Sequence, residues 1–192
     1  MRCACRRELS WWSVVLERGD IQFCFQPTVQ PADAMTVSLG VQSLFAILSP
    51  EGREVHRRLR VGKKRMPQKP RERFWARIER VGSLQRALGD KLEPETYTTK
   101  TRGERYQPAA RLVAIGTYAF IQHDDHVHFD YDVEPTERDD VPMVESGSHI
   151  VLFESTGEGR ATWSHRGSIA LLDDEGAELV LVGSCQAVDA AS

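Results

Sequence analysis

The stretch His126–Glu134, HVHFDYDVE, places His126, His128, Asp130, Asp132 and Glu134 at every second position, with Val127, Phe129, Tyr131 and Val133 between them. Alternate side chains of a strand point to opposite faces, so this pattern predicts a strand with one apolar face and one ionisable face. His126 and His128 would lie about 6.5 Å apart along it. Two imidazoles on one strand face can share a metal, with Asp130 or His123 completing a shell suited to Mn, Fe or Zn. A His beside an Asp is equally the composition of a general acid/base pair tuned near neutral pH. The competing reading needs no chemistry, because an antiparallel sheet with one wet face calls for polar residues at the same positions.

A second concentration of functional side chains is basic. Arg57, Arg58, Arg60, Lys63, Lys64, Arg65, Lys69, Arg71, Arg73 and Arg77 follow closely, with His56, Phe74 and Trp75 interleaved. Lys and Arg bind phosphates with release of counterions, and an exposed aromatic ring stacks on an unpaired base. The run KKRMPQKPR also fits a nuclear-localisation pattern, meaningful in a eukaryote. Two bland readings compete: Phe74 and Trp75 as core residues, and the basic segment as a solvated face or a partner for an acidic half. Such a half exists. Residues 50–111 hold 18 Lys and Arg against 8 Asp and Glu, whereas residues 112–192 hold 3 against 16, a split that the net charge of −3 conceals. Charge divided in this way suggests a polyanion-binding part, or two parts that neutralise one another within a homo-oligomer. Thr96–Arg105 is a polar strand and turn whose hydroxyls and cations could receive an oxyanion, though Thr there also reflects β propensity.

The elements that must position these residues are short and mostly extended. Ser43–Leu48 and Val55–Val61 flank Ser-Pro-Glu-Gly-Arg and predict a hairpin, with Arg57, Leu59 and Val61 on one face and His56, Arg58 and Arg60 on the other. Phe74, Ile78 and Val81 recur at helical spacing before Gly82, which predicts a short amphipathic helix over residues 71–82. Ser83 caps a second short helix running to about Lys91. From Glu95 the pattern is β: Glu95–Thr101, Leu112–Gln122, His126–Glu134, His149–Glu154, Arg160–His165, Ser168–Leu172 and Glu178–Val182. The fold class expected is β-rich α+β, an antiparallel sandwich or partly open barrel with two short helices. Residues 1–34, with Trp11, Trp12 and most of the cysteines, read as an N-terminal extension outside the core. Residues 35–192 then form one domain, although adjacent tryptophans usually need burial.

The strand resembles the core motif of the 3′-phosphoesterase domain attached to bacterial DNA-repair ligases. That family places H-x-H-[FY]-D-[FY]-x-[LV]-E after an upstream His and an apolar segment ending in Gln. This chain has Ile121-Gln122, His123 and then His126 to Glu134. The resemblance implies a Mn-dependent phosphoesterase acting on nucleic-acid ends, with His123, His128 and Asp130 as metal ligands and His126 or His149 assisting catalysis. The chain departs from the family where Asp132 replaces a phosphate-holding Arg, where the loop after His123 is shorter, and where His149 arrives early.

Composition narrows the remaining options. A hydrophobic fraction of 41% and a charged fraction of 28% indicate a folded globular chain. No stretch approaches the ~20 apolar residues that span a bilayer, and Trp11–Leu16 is too short for a secretion signal. These features predict a cytoplasmic protein, or a nuclear one in a eukaryote, with no membrane partner. Cys3, Cys5, Cys24 and Cys185 lack zinc-finger spacing and read as reduced thiols. No Walker loop, dinucleotide fingerprint or nucleophile elbow is present. The reading favoured by sequence is a binding protein that meets an anionic partner, such as nucleic acid, through its basic segment. Its rivals are the metal phosphoesterase, with Mn or Zn, and the charge-paired homo-oligomer.

Overall fold

Period-two alternation organises nearly every element of the chain. The computed structural model describes residues 13–33, 40–89, 93–123, 125–136, 144–155, 162–164 and 168–184. The strands are β1 (Val14–Pro27), β2 (Gln30–Pro31), β3 (Val41–Pro50), β4 (His56–Val61), β5 (Arg73–Gly82), β6 (Glu95–Thr99), β7 (Gly103–Gln107), β8 (Arg111–His123), β9 (His126–Pro135), β10 (Gly147–Ser155), β11 (Thr162–Ser164) and β12 (Glu178–Gly183). One short helix, α1 (Leu84–Leu88), and one 3-10 turn, Ile169–Asp173, complete the described elements.

Eight strands close into an antiparallel barrel in the order β1, β3, β4, β5, β12, β10, β9, β8, with β8 returning to β1. Two consecutive meanders, β1-β3-β4-β5 and β8-β9-β10-β12, are joined along both seams, β8 on β1 and β12 on β5. Closure leaves no free edge among these eight. An eight-stranded barrel has an interior that side chains fill. Here Ile21, Phe23, Phe25, Leu44, Leu59, Phe74, Phe120, Phe129, Val151 and Leu181 belong to a single buried cluster. Phe120 stacks on Phe129 with centroids 4.8 Å apart, and Phe23 meets Tyr131 at 5.1 Å. The interior is therefore a packed core. The 3-10 turn buries Leu172 against the same cluster, and β2, β7 and β6 form a small separate sheet.

Several expectations change. The segment read as an amphipathic helix is β5: Phe74, Ala76 and Ile78 point inward while Arg73, Trp75 and Arg77 are exposed. Its apolar residues satisfy both periods, and pairing with β4 and β12 decides for the strand. The second predicted helix is present as α1, capped by Ser83, whose side chain accepts from the Arg86 N–H. Ser168–Leu172, expected as a strand, is a 3-10 turn capped by Ser168. Residues 1–34 are not separate from the core over their described part, because β1 lies between β3 and β8 with Ile21, Phe23 and Phe25 fully buried. The barrel is closed, neither a sandwich nor partly open.

The hairpin of β3 and β4 is as expected, with Leu59 and Val61 inward and Arg60 outward. Cys24 is a buried free thiol, pushed up to about 11 by burial. Trp11, Trp12, Cys3, Cys5, Cys185, Met35, the loop over 137–142 and His165–Gly167 lie outside the described residues. Among the described residues, no helix is long and apolar enough to cross a membrane.

Candidate functional site

The ten basic residues separate into three environments. Arg57 and Arg58 are fully buried. Arg57 points into the barrel, where its guanidinium donates to Glu17 at 2.5 Å and to Asp173 at 2.8 Å. Burial alone would push the Arg57 guanidinium down, and the two carboxylates outweigh it, so its pKa is raised. Arg58 points outward beneath α1, donating to the Ala87 and Gly89 carbonyls at 3.2 and 3.0 Å and lying over the Phe45 ring. Both are structural residues, and their place among the expected anion-binding side chains is corrected. They are committed because chain closure brings acceptors to them from distant sequence positions.

Arg60 and Arg65 are surface residues held by neighbours. Arg60 pairs with Glu79 at 3.2 Å. Arg65 donates to Glu72 at 3.0 Å and lies over Phe74. Glu72 also accepts from the Gln68 N–H at 2.9 Å. The Arg65 and Gln68 bonds hold its carboxyl down at about 2. This knot fixes the course of the loop between β4 and β5.

Lys63, Lys64, Lys69, Arg71, Arg73 and Arg77 are exposed and make no ion pair among the described residues. Trp75 stands outward between Arg73 and Arg77 on β5 and is 54% exposed. A shallow concavity of about 230 Å³ beside it is lined by Arg60, Gly62, Ala76, Arg77 and a single carboxylate, Glu178. A large exposed aromatic flanked by cations is suited to stacking and charge neutralisation together.

On β9 the expected faces are correct. Val127, Phe129, Tyr131 and Val133 are core residues, while His126, His128, Asp130, Asp132 and Glu134 point away from it. In the ring of eight, β9 stands four strands from β4 in either direction, yet the β3–β4 turn, with Arg53 and His56, shares a cleft of about 970 Å³ with Asp130 and Asp132. The β4–β5 loop does reach the β9–β10 end of the barrel. There Lys64, Arg65 and Gln68 share a pocket of about 340 Å³ with Tyr131, Ser148 and His149.

The histidines cluster at the β8–β9 turn. His123 and His126 are register partners, and the His123 and His126 rings lie 4.8 Å each from His128. Asp130 accepts from Ser148 Oγ at 2.6 Å and is 3.8 Å from His128 Nδ1. Burial pushes the His128 imidazole down to about 4, opposed by Asp130 and reinforced by His126 and His123. His149 does not join this group: it faces inward, 4% exposed, bonded to the Tyr131 hydroxyl at 3.0 Å. One residue separates the two faces, since Ser148 opposes Asp130 and His149 opposes Phe129. Among the described residues, no three His, Cys, Asp or Glu side chains are arranged to hold a metal ion.

Sequence reasoning missed Ser148 and Ser146, which bind Asp130 and Asp132 at 2.6 and 2.7 Å. Their role depends on the β9–β10 register, for which the sequence carries no local signal. In comparisons with known proteins, the chain matches no family model, no curated protein and no solved structure.

Proposed function

We propose that this barrel is a binding protein for single-stranded nucleic acid, engaged through the outward face of β5 and the β4–β5 loop. The observation that carries the reading is Trp75, half exposed on β5 between two arginines that make no ion pair among the described residues. A core role would bury that ring, as it buries Phe74 at 4% exposure. Lys63, Lys64, Lys69 and Arg71 extend the positive surface along the loop. Bases stack on the indole while phosphates meet the cations, a combination that tolerates any sequence. Duplex DNA offers phosphates but no free base face, so it binds by charge alone.

Fluorescence anisotropy with a labelled oligonucleotide tests this. Lys63, Lys64, Lys69, Arg71, Arg73 and Arg77 engaged together on a single strand give a log–log salt slope of roughly −4. Trp75→Ala should weaken the single strand and leave a duplex of equal charge nearly unchanged. Absence of binding at low salt, or equal loss for both ligands, contradicts the reading.

A further inference from the structure

Donor and acceptor accounting on β9 requires a cation between two histidines. Ser148 Oγ donates to Asp130 at 2.6 Å, which uses its only proton. The 2.9 Å contact between Ser148 Oγ and His128 Nδ1 therefore has the imidazole N–H as donor, and His128 Nε2 carries a lone pair. At His126, Nδ1 lies 2.5 Å from the Asp125 carboxylate, so that nitrogen also bears its proton. The two Nε2 atoms face each other at 2.8 Å. Two bare lone pairs at this distance repel, so a positive species, either a proton or a metal ion, must lie between them.

We propose that His126 and His128 form a binding site for a borderline divalent transition ion, Zn²⁺ or Cu²⁺, through their Nε2 atoms, with His123 or solvent as further donors. Neutral imidazole is the ligating form, and nitrogen donors select these ions over Mg²⁺ or Ca²⁺. Both Nδ1 atoms are already anchored on oxygen, the outer-shell arrangement that orients ligating histidines. Zn–N bonds of about 2.0–2.1 Å at tetrahedral angles separate the nitrogens by roughly 3.4 Å. The pair therefore opens by about half an ångström, within the reach of side chains that are 29% and 12% exposed. Only two donors converge in the present geometry, so the third must come from rotation of the His123 ring, 4.8 Å from His128, or from water. Asp130 is not a donor here, because Ser148 occupies it and it sits on the Nδ1 side of His128.

The site is tested on the full chain after chelator treatment and dialysis. Isothermal titration with Zn²⁺ is expected to show one ion per chain. Electron paramagnetic resonance with Cu²⁺ should show superhyperfine coupling to at least two imidazole nitrogens, a readout that needs no variant. His126→Ala and His128→Ala should each abolish the high-affinity event, and Ser148→Ala should weaken it roughly tenfold. Glu104→Gln, on β7 in the separate small sheet, should leave it unchanged. Wild-type binding no tighter than that of a His126→Ala/His128→Ala double variant would mean that the pair holds only a proton, and the proposal fails. Undiminished binding in His126→Ala or in His128→Ala overturns the ligand set.

Discussion

Replacing Arg57 by Met should destabilise the barrel without touching its binding face. Met keeps most of the aliphatic volume, so the change isolates the charge. In the wild type the guanidinium has no exposure and holds Glu17 at 2.5 Å and Asp173 at 2.7 Å. Glu17 is only 9% exposed, whereas Asp173, at 33%, can return to water. After substitution Glu17 retains the Tyr118 hydroxyl at 2.8 Å and Arg53 at 3.7 Å. Breaking a buried ion pair from one side costs about 3–5 kcal/mol. The two remaining partners place this case near the lower bound, about 3 kcal/mol. For a chain of this size that lowers Tm by roughly 6–12 °C. Guanidinium unfolding followed by circular dichroism measures it. The double variant Arg57→Met/Glu17→Gln removes both charges and should recover much of the loss. A single-variant cost below about 1 kcal/mol, or no recovery in the double variant, would refute the placement of Arg57 as a buried counterion. Oligonucleotide affinity of folded Arg57→Met should match the wild type, since the residue is inside.

Adjacent aromatics on β5 should behave oppositely: Phe74→Ala costs about 3–5 kcal/mol of stability. Trp75→Ala changes stability by less than about 0.5 kcal/mol yet weakens single-strand binding by about 1–3 kcal/mol. Burial pushes the His149 imidazole from 6.5 down to about 4, so the unfolded chain takes up a proton that the folded chain refuses between those pH values. Its contribution is complete above pH 6.5 and declines as pH falls toward 4, by roughly 3 kcal/mol in total. Denaturation across that window should show stability rising with pH. His149→Gln, which keeps a partner for Tyr131, should reduce the slope and leave the part due to His128, which burial pushes down to the same value; an unchanged slope would place the titration elsewhere. Gly116→Ala drives a methyl group into the Asp132 carbonyl across the β8–β9 pair and should lower Tm.

Local pattern made part of this molecule legible. Strict alternation in HVHFDYDVE settles which β9 residues face the core, because neighbouring side chains of a strand must oppose. The β3–β4 hairpin and the Ser83 cap are equally local: a turn sequence and a side-chain acceptor carry their own geometry. The same alternation is present in Ile21, Phe23 and Phe25, all fully buried, within the 34 residues whose composition reads as an extension.

The sequence by itself determined which residues could share a face, but not which strands would be neighbours. In Arg73–Gly82 the apolar positions fit helix and strand alike, and only pairing to β4 on one side and β12 on the other resolved them. Barrel closure carried Glu17 and Asp173 to Arg57, turning an apparent phosphate ligand into a core ion pair. It also set Ser148 opposite Asp130 and put His149 on the inner face, dividing residues that a linear reading grouped into one site. Hydrophobic periodicity acts over a few residues, whereas register and closure are decided by backbone hydrogen bonds between segments far apart in the chain. The environment of each charge follows from those bonds.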